Sequence, residues 1–298
     1  MSAANFLQLL LSGLTMGALY ALTAKGLFVA HLATTRMNFG QGDFLMIAAY
    51  ISTALLLAKV PVVVVVLVVL ACLAVLGWGL ERVALRPLDR LKSKAGEYSW
   101  VLTTMGVALI LQNTATLFWG KSAQYSPPLF STSRQDVVRL FGVGVFVEEL
   151  VVIAVGFLVV GLFYLFLFKT TAGRAVRVIA FNPDAATLLG IDVKRTISLV
   201  FVVAALLAGI SGVLAGPIVT VQPHMGLVFT VKALAVAALG GFANPLGVLA
   251  GAIIFGIAES FSNYFNSSFG DLYPLLIVLV LLIIRPTGIF GEARADVR

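Results

Sequence analysis

Side chains able to bind a polar solute are rare in this sequence, and a few of them fall inside its apolar runs. Asn38, Gln41 and Asp43 lie within six residues, punctuated by Gly40 and Gly42. Two glycines in so short a run favour a broken helix. The backbone groups such a break exposes could meet an amino acid's ammonium or carboxylate. Lys232 and Glu259 stand further along, the latter followed by Ser260, Ser262 and Asn263. Polar groups inside an apolar span are costly and tend to face a bundle interior or a water-filled path. Asn38, Gln41, Gly42, Asp43, Lys232 and Glu259 are therefore candidates for lining such a path. Each has a plainer alternative. Asp43 fits a helix start at a membrane edge, accepting from backbone N–H groups, and Glu259 fits a helix interface. Lys232 fits an ion pair or a side chain that snorkels, and Lys25, near a helix end, fits snorkelling. No relay connecting Asp43, Lys232 and Glu259 is evident.

Other chemistry is thinly represented. The two histidines, His31 and His224, lack metal-ligand spacing. No nucleophile–base–acid arrangement stands out, so neither an enzyme nor a metal site is expected. The lone Cys72 excludes an internal disulfide and reads as a small apolar filler. Gly120-Lys121-Ser122 resembles the end of a phosphate loop, but Ala115 occupies the position of the first required glycine and no strand precedes it.

The elements that must carry these groups are set by composition. Of 298 residues, 60% are hydrophobic and 11% charged, far from the ~25% charged of a soluble domain. Nine apolar runs approach a bilayer's thickness: 6–28, 38–58, 60–80, 99–118, 148–168, 198–220, 225–241, 246–265 and 272–285. The seventh and ninth are short enough to be tilted, broken or re-entrant. The expected fold class is all-α: one domain, 1–298, a polytopic transmembrane bundle of eight or nine spans. Period-2 alternation is missing, which excludes a barrel. Gly13/Gly17, Gly212/Gly216 and Gly247/Gly251 have the spacing that lets helix backbones approach in lipid. Basic residues mark cytoplasmic loops. They gather at 82–94 (Arg82, Arg86, Arg90, Lys92, Lys94), at 169–195 (Lys169, Arg174, Arg177, Lys194, Arg195) and in the tail 285–298 (Arg285, Arg294, Arg298). The loop 119–147 is then outward, the N-terminus outside, the turn near Arg36 inside and the C-terminus cytoplasmic.

One segment, 170–195, is too polar to cross. Ala175, Val178 and Ile179 suggest one apolar helix face, with Arg174 and Arg177 off it. Asn182 reads as an N-cap, Pro183 as the first helical residue, and Asp184 suits the positive helix end. Gly190 reads as a left-handed stop. A helix of two turns is not stable alone, so Leu188 and Leu189 require a surface to pack on: lipid, the bundle itself, or a soluble partner.

"GRAVRVIAFNPDAATLLGID" (173–192) resembles the cytoplasmic coupling segment of permease subunits of branched-chain amino acid ABC importers. "MNFGQGDFLMIAAY" (37–50), "VKALAVAALGGFANPLGVLAGAIIFGIAES" (231–260) and "RPTGIFG" (285–291) resemble further segments of that family, in order. The resemblance covers about two-thirds of the chain. It departs at Gly40 and Gln41, where Ala and His are usual, and at Ala243 and Asn244, where Gly-Ser is common. The resemblance implies a multi-pass permease of a bacterial inner membrane, paired with a second related permease. It implies two cytoplasmic ATPases gripping Arg174, Arg177, Asn182, Pro183, Asp184, Leu188, Leu189 and Gly190. It also implies an extracytoplasmic binding protein that delivers substrate. ATP and Mg would then sit on the ATPases, with no cofactor on this chain. Leucine, isoleucine and valine are the default substrates; related systems carry other amino acids, urea, or aromatic and dicarboxylic acids. The rivals are an ion-coupled secondary transporter or channel, and a sugar-type ABC permease.

Overall fold

The first helix, α1 (Ala3–Thr34), has 32 residues and is the axis of the fold. In the computed structural model, residues 3–90, 99–131, 136–140, 143–242 and 244–291 are described. Ala18, Leu19, Tyr20, Ala21 and Leu22 are all fully buried, so helix surrounds α1 on every side there. Next come α2 (Gln41–Leu57), α3 (Val62–Gly79) and α4 (Ser99–Trp119). A π-helical turn, Leu80–Leu85, and a 3-10 turn, Arg86–Arg90, extend α3. A hairpin of β1 (Val137–Leu140) and β2 (Val143–Phe146) leads into α5 (Val147–Lys169). Two short helices, α6 (Thr171–Phe181) and α7 (Pro183–Leu188), precede α8 (Val193–Ala215), α9 (Met225–Gly240), α10 (Pro245–Phe265) and α11 (Leu272–Ile284).

Among the described residues, six helices are long and apolar enough to cross a membrane, and three shorter apolar helices are α2, α9 and α11. These nine coincide with the nine apolar runs, and the protein is a multi-pass helical membrane bundle. The outer surface inverts the soluble pattern: Leu67, Val75, Leu102, Leu117 and Phe118 are all exposed, as lipid requires. Cys72 is exposed on this surface. Small residues set the closest helix contacts. Gly13 and Gly17 of α1 lie against Ile257 and Ala252 of the antiparallel α10, Gly212 meets Leu45 and Ala48 of α2, and Gly247 and Gly251 meet Gly240. Gly216 departs from the expectation, facing Ser126 of a loop.

Several boundaries differ from the sequence expectation. The loop 119–147, read from sequence only as outward, contains the antiparallel β1–β2 hairpin. Its strands are four residues each, too short for alternation to register among so many apolar runs. Helix α1 runs on to Thr34 rather than ending near residue 28. Lys25 does not end it or snorkel: its side chain is 1% exposed, and Nζ donates to the carbonyl of Pro245 between the rings of Phe28 and Phe163. The following helices, α5 and α10, close over a position that a lone amphipathic stem would leave open.

The two ends of the bundle separate the polar segments. Arg36, Glu81, Arg86, Pro183 and Val193 line one cavity, so the turn after α1, the α3 extension, α7 and the start of α8 share one end. His31 packs on Phe242, and Ile289 N–H donates to Leu239, which places the 239–242 turn and the 285–291 segment there too. At the other end Gln124 pairs with Val221 as an isolated bridge, and Ser260 Oγ donates to Leu9. Lys92, Lys94, Ala243, Arg294 and Arg298 lie outside the described residues.

Candidate functional site

The projection at the basic end is built from start and stop signals. Thr170 Oγ1 accepts from Gly173 N–H and caps α6. Gly173 lies so close to the carbonyls of Phe166 and Leu167 that a Cβ there would sit 2.2 Å from the Phe166 oxygen. This contact folds α6 back against α5. The buried face of α6 is Gly173, Val176 and Ile179, so the apolar stripe is rotated from the expected Ala175, Val178 and Ile179. Arg174 is exposed. Arg177 is not free of the packed side as expected: its guanidinium stacks on Phe168 at 4.8 Å, with Nε buried and unpartnered. Phe168 lies beyond the segment that suggested the stripe, which is why spacing alone misplaced Arg177.

Asn182 Oδ1 accepts from Asp184 N–H and Ala185 N–H at 2.9 and 3.0 Å, and Pro183 opens α7. Gly190 adopts φ +78°, the left-handed stop its sequence context implies. Of α7 only Ala186 is buried. Phe181, Leu188 and Leu189 are 94%, 89% and 72% exposed. Large apolar side chains on a capped helix thus point away from the chain's own core. The projection is tied back at both ends. Asp192 Oδ1 caps α8, and Glu81 accepts from Ser198 Oγ at 2.6 Å and from Arg86 Nε at 3.2 Å. The cavity of ≈190 Å³ lined by Arg36, Arg86, Ile179 and Pro183 lies between the projection and the helix ends.

Inside the bundle, polar groups form a belt. Helix α2 begins at Gln41, so the break expected around Gly40 and Gly42 is present as a non-helical approach through residues 36–38. Asn38 and Gln41 are buried, and Asn38 Nδ2 donates to Gln41 Oε1 at 3.3 Å; Asn38 Oδ1 also accepts from Gly40 N–H, and Gln41 Nε2 donates to the Ala204 carbonyl of α8 at 2.8 Å. Gly42 N–H donates to Thr230 Oγ1, and a Cβ at Gly42 would stand 2.0 Å from the Gly226 oxygen. Only glycine allows α2 and α9 to meet there. Asp43 stands in the first turn of α2, the helix start its alternative reading gave it, but it is fully buried and its Oδ1 accepts from Gln112 Nε2 of α4 at 2.9 Å.

Lys232 forms the ion pair that was one of its two plainer readings, and Glu259 is its partner at a helix interface, although no relay between them was evident in the sequence. Lys232 Nζ donates to Glu259 Oε1 and to Asp271 Oδ1, each at 2.9 Å. Tyr20 O–H donates to Glu259 Oε2 at 2.7 Å. The cluster joins α1, α9, α10 and the residue before α11. Tyr20, Gln112, Thr230 and Asp271 were not singled out from sequence. Gln112 and Thr230 were detectable as polar residues within apolar runs; Tyr20 and Asp271 gain meaning only from contacts 239 and 39 residues away. Among the described residues, no His/Cys/Asp/Glu group could hold a metal ion. Gly120, of the false phosphate loop, follows the C-terminal end of α4, the pole that does not favour phosphate.

The family described as branched-chain amino acid transport system / permease component matches residues 9–285. The LivH permease protein of the high-affinity branched-chain amino acid transport system of Escherichia coli is 31% identical, over 98% of this chain and 97% of its own. The BraD permease protein of the corresponding Pseudomonas aeruginosa system is 30% identical, over 98% of each. A probable branched-chain amino acid transport permease of Methanocaldococcus jannaschii is 30% identical, over 92% and 89%. Among solved structures, PsaBC from Streptococcus pneumoniae in complex with Fab matches with a TM-score of 0.47 at 14% identity, covering 94% of this chain and 90% of that one.

Proposed function

Because this chain belongs to the family of branched-chain amino acid transport permeases, we propose that it is the membrane-spanning subunit of an ATP-driven importer for leucine, isoleucine, valine or related amino acids. It works beside a second permease in a bacterial inner membrane. Two ATPases hold ATP and Mg on the cytoplasmic side, and a binding protein delivers substrate from outside. The end bearing Arg36, Arg86, the projection and Arg285 is cytoplasmic, as a bias of basic residues supports; the N-terminus is outside.

The observation that carries this reading is the exposure of Phe181, Leu188 and Leu189 on a capped projection. Exposed apolar patches beside polar residues mark sites of protein contact. The ATPase grips α7, with Asn182, Pro183, Asp184 and Gly190 holding its shape and Arg174 presenting charge. Arg177 anchors α6 to α5 through Phe168. When the ATPases close, the displacement of α7 reaches α5 through Gly173, and reaches α8 and the α3 extension through Asp192, Glu81 and Ser198. Amino acid passes along the polar belt of Asn38, Gln41, Gly42 and Asp43, with Lys232 and Glu259 holding the adjoining helices.

The test is ATP-dependent leucine uptake by the assembled transporter in proteoliposomes, with Leu188→Asp and Leu189→Asp introduced together. The doubly substituted chain should keep its thermal stability and lose co-purifying ATPase. Retained ATPase binding would sink the docking reading. Uptake driven by an ion gradient without nucleotide would favour the secondary-transporter alternative, for which Lys232, Glu259 and Asp271 would supply ionisable groups.

A further inference from the structure

Asp43 is a buried carboxyl with only one of its two oxygens met. Its side chain is fully buried, Oδ1 is met by Gln112, and Oδ2 has no hydrogen-bond partner. Among the described residues no ion pair reaches it. A buried carboxylate in this position is costly unless a cation meets it. Two helix starts face it. Asp43 lies in the first turn of α2, and the first turn of α9 touches it: a Cβ on Gly226 would stand 2.3 Å from Oδ1. The positive ends of both helix dipoles thus favour a carboxylate.

Asp43 is not alone on its helix face. Tyr50 Oη and Thr53 Oγ1 are also buried without partners. They fall seven and ten residues further along α2, over about 15 Å, with Tyr50 about 20° and Thr53 about 80° around the helix from Asp43. Tyr50 stacks on Trp119 at the end of α4, and Thr53 approaches the Ser126–Gly216 contact at the outer end. The unpartnered groups therefore run from the outer end to the helix break. Asp43 and Tyr50 lie against α4, which buries only Thr104, Ala108, Leu111 and Ala115 along one face, whereas Thr53 lies beside Gly216 of α8. Gln112 of α4 is the single donor held by Asp43.

We propose that the α2–α4 seam is a binding station for the primary ammonium group of the transported solute, with Asp43 as its counter-charge and Gln112 as a placeholder. The ammonium supplies the donors that Asp43 Oδ2 lacks. Tyr50 and Thr53 offer polar contacts on the way in, and α4 yields to admit the solute. This inference rests on the transport reading for its substrate, but its chemistry is tested separately.

The probes are isoamylamine, an apolar primary ammonium at neutral pH, and 4-methylpentanoate, its carboxylate counterpart. Each is added at millimolar concentration to the purified transporter in detergent, and thermal unfolding is followed for wild type and Asp43→Asn. The amine should raise the wild-type midpoint and leave Asp43→Asn unmoved, while 4-methylpentanoate moves neither. Asp43→Asn alone should unfold at the wild-type temperature or higher, because it removes an uncompensated charge, and should cut leucine uptake at least tenfold. Equal amine shifts in both proteins, or no shift in either, would overturn the station. So would an Asp43→Asn chain that unfolds several degrees lower, since that marks a structural carboxylate. Wild type that binds the amine but takes up no leucine with ATP would count against the importer reading instead.

Discussion

Replacing Lys232 by Met removes the cation that pairs with the buried Glu259 and the largely exposed Asp271. Glu259 is 5% exposed and would keep only the Tyr20 hydroxyl as a donor. Breaking a buried pair from one side costs about 3–5 kcal/mol. At about 2 °C per kcal/mol for a chain of this size, the unfolding midpoint should fall by roughly 6–10 °C. Asp271 is the contrasting partner, because its side chain is 67% exposed. Asp271→Asn should cost only about 0.2–1 kcal/mol, as exposed pairs do. Glu259→Gln falls between them: Lys232 keeps Asp271 and the amide oxygen still accepts, so about 1–3 kcal/mol is expected. The double change Lys232→Met with Glu259→Gln leaves no uncompensated buried charge and should recover ~1–3 kcal/mol relative to the sum of the two single changes. The assay is thermal unfolding of the purified protein in one detergent at one salt concentration. A midpoint shift below about 2 °C for Lys232→Met, or strict additivity in the double variant, would refute the cluster as a coupled buried unit.

Other expected outcomes follow from close contacts and backbone geometry. Gly42→Ala pushes a methyl against the Gly226 oxygen and the Thr230 backbone, and should destabilise by about 1–3 kcal/mol or more. Gly106→Ala meets nothing within 4 Å and should stabilise α4 by up to ~1 kcal/mol, so thermal unfolding of this pair separates packing from helix propensity. Gly190→Ala forces a side chain into φ +78°, at a cost of about 1–2 kcal/mol confined to the projection. Its bundle should unfold at the wild-type temperature while substrate-stimulated ATPase activity drops, and an unchanged ATPase rate would count against the projection as the force-bearing element. Asn182→Ala removes both cap bonds and should loosen α7 by ~1 kcal/mol, read as faster amide exchange at Asp184 and Ala185.

Features that depend on neighbours in sequence were legible without the fold. Nine apolar runs became nine helices because each is long enough to require lipid or burial by itself. The projection was equally local: Asn182, Pro183 and Gly190 act on bonds within their own turn, so their types alone announced α7. Two of the three glycine pairs were readable, because a missing side chain permits backbone approach whichever helix arrives; Gly216 instead met a loop.

Tertiary structure decided what the polar residues mean. Lys25, Lys232 and Glu259 looked alike along the chain, as single charges in apolar runs. Folding sent Lys25 to a carbonyl 220 residues away and joined Lys232 to Glu259, Asp271 and Tyr20. It left Asp43 beneath α4 with one oxygen unmet. The sequence determined where helices form, since that depends on runs of apolar side chains and on local capping. Only packing determined which charges meet, because an ion pair is set by distance in space, and in lipid an unmatched charge finds no water to replace its partner.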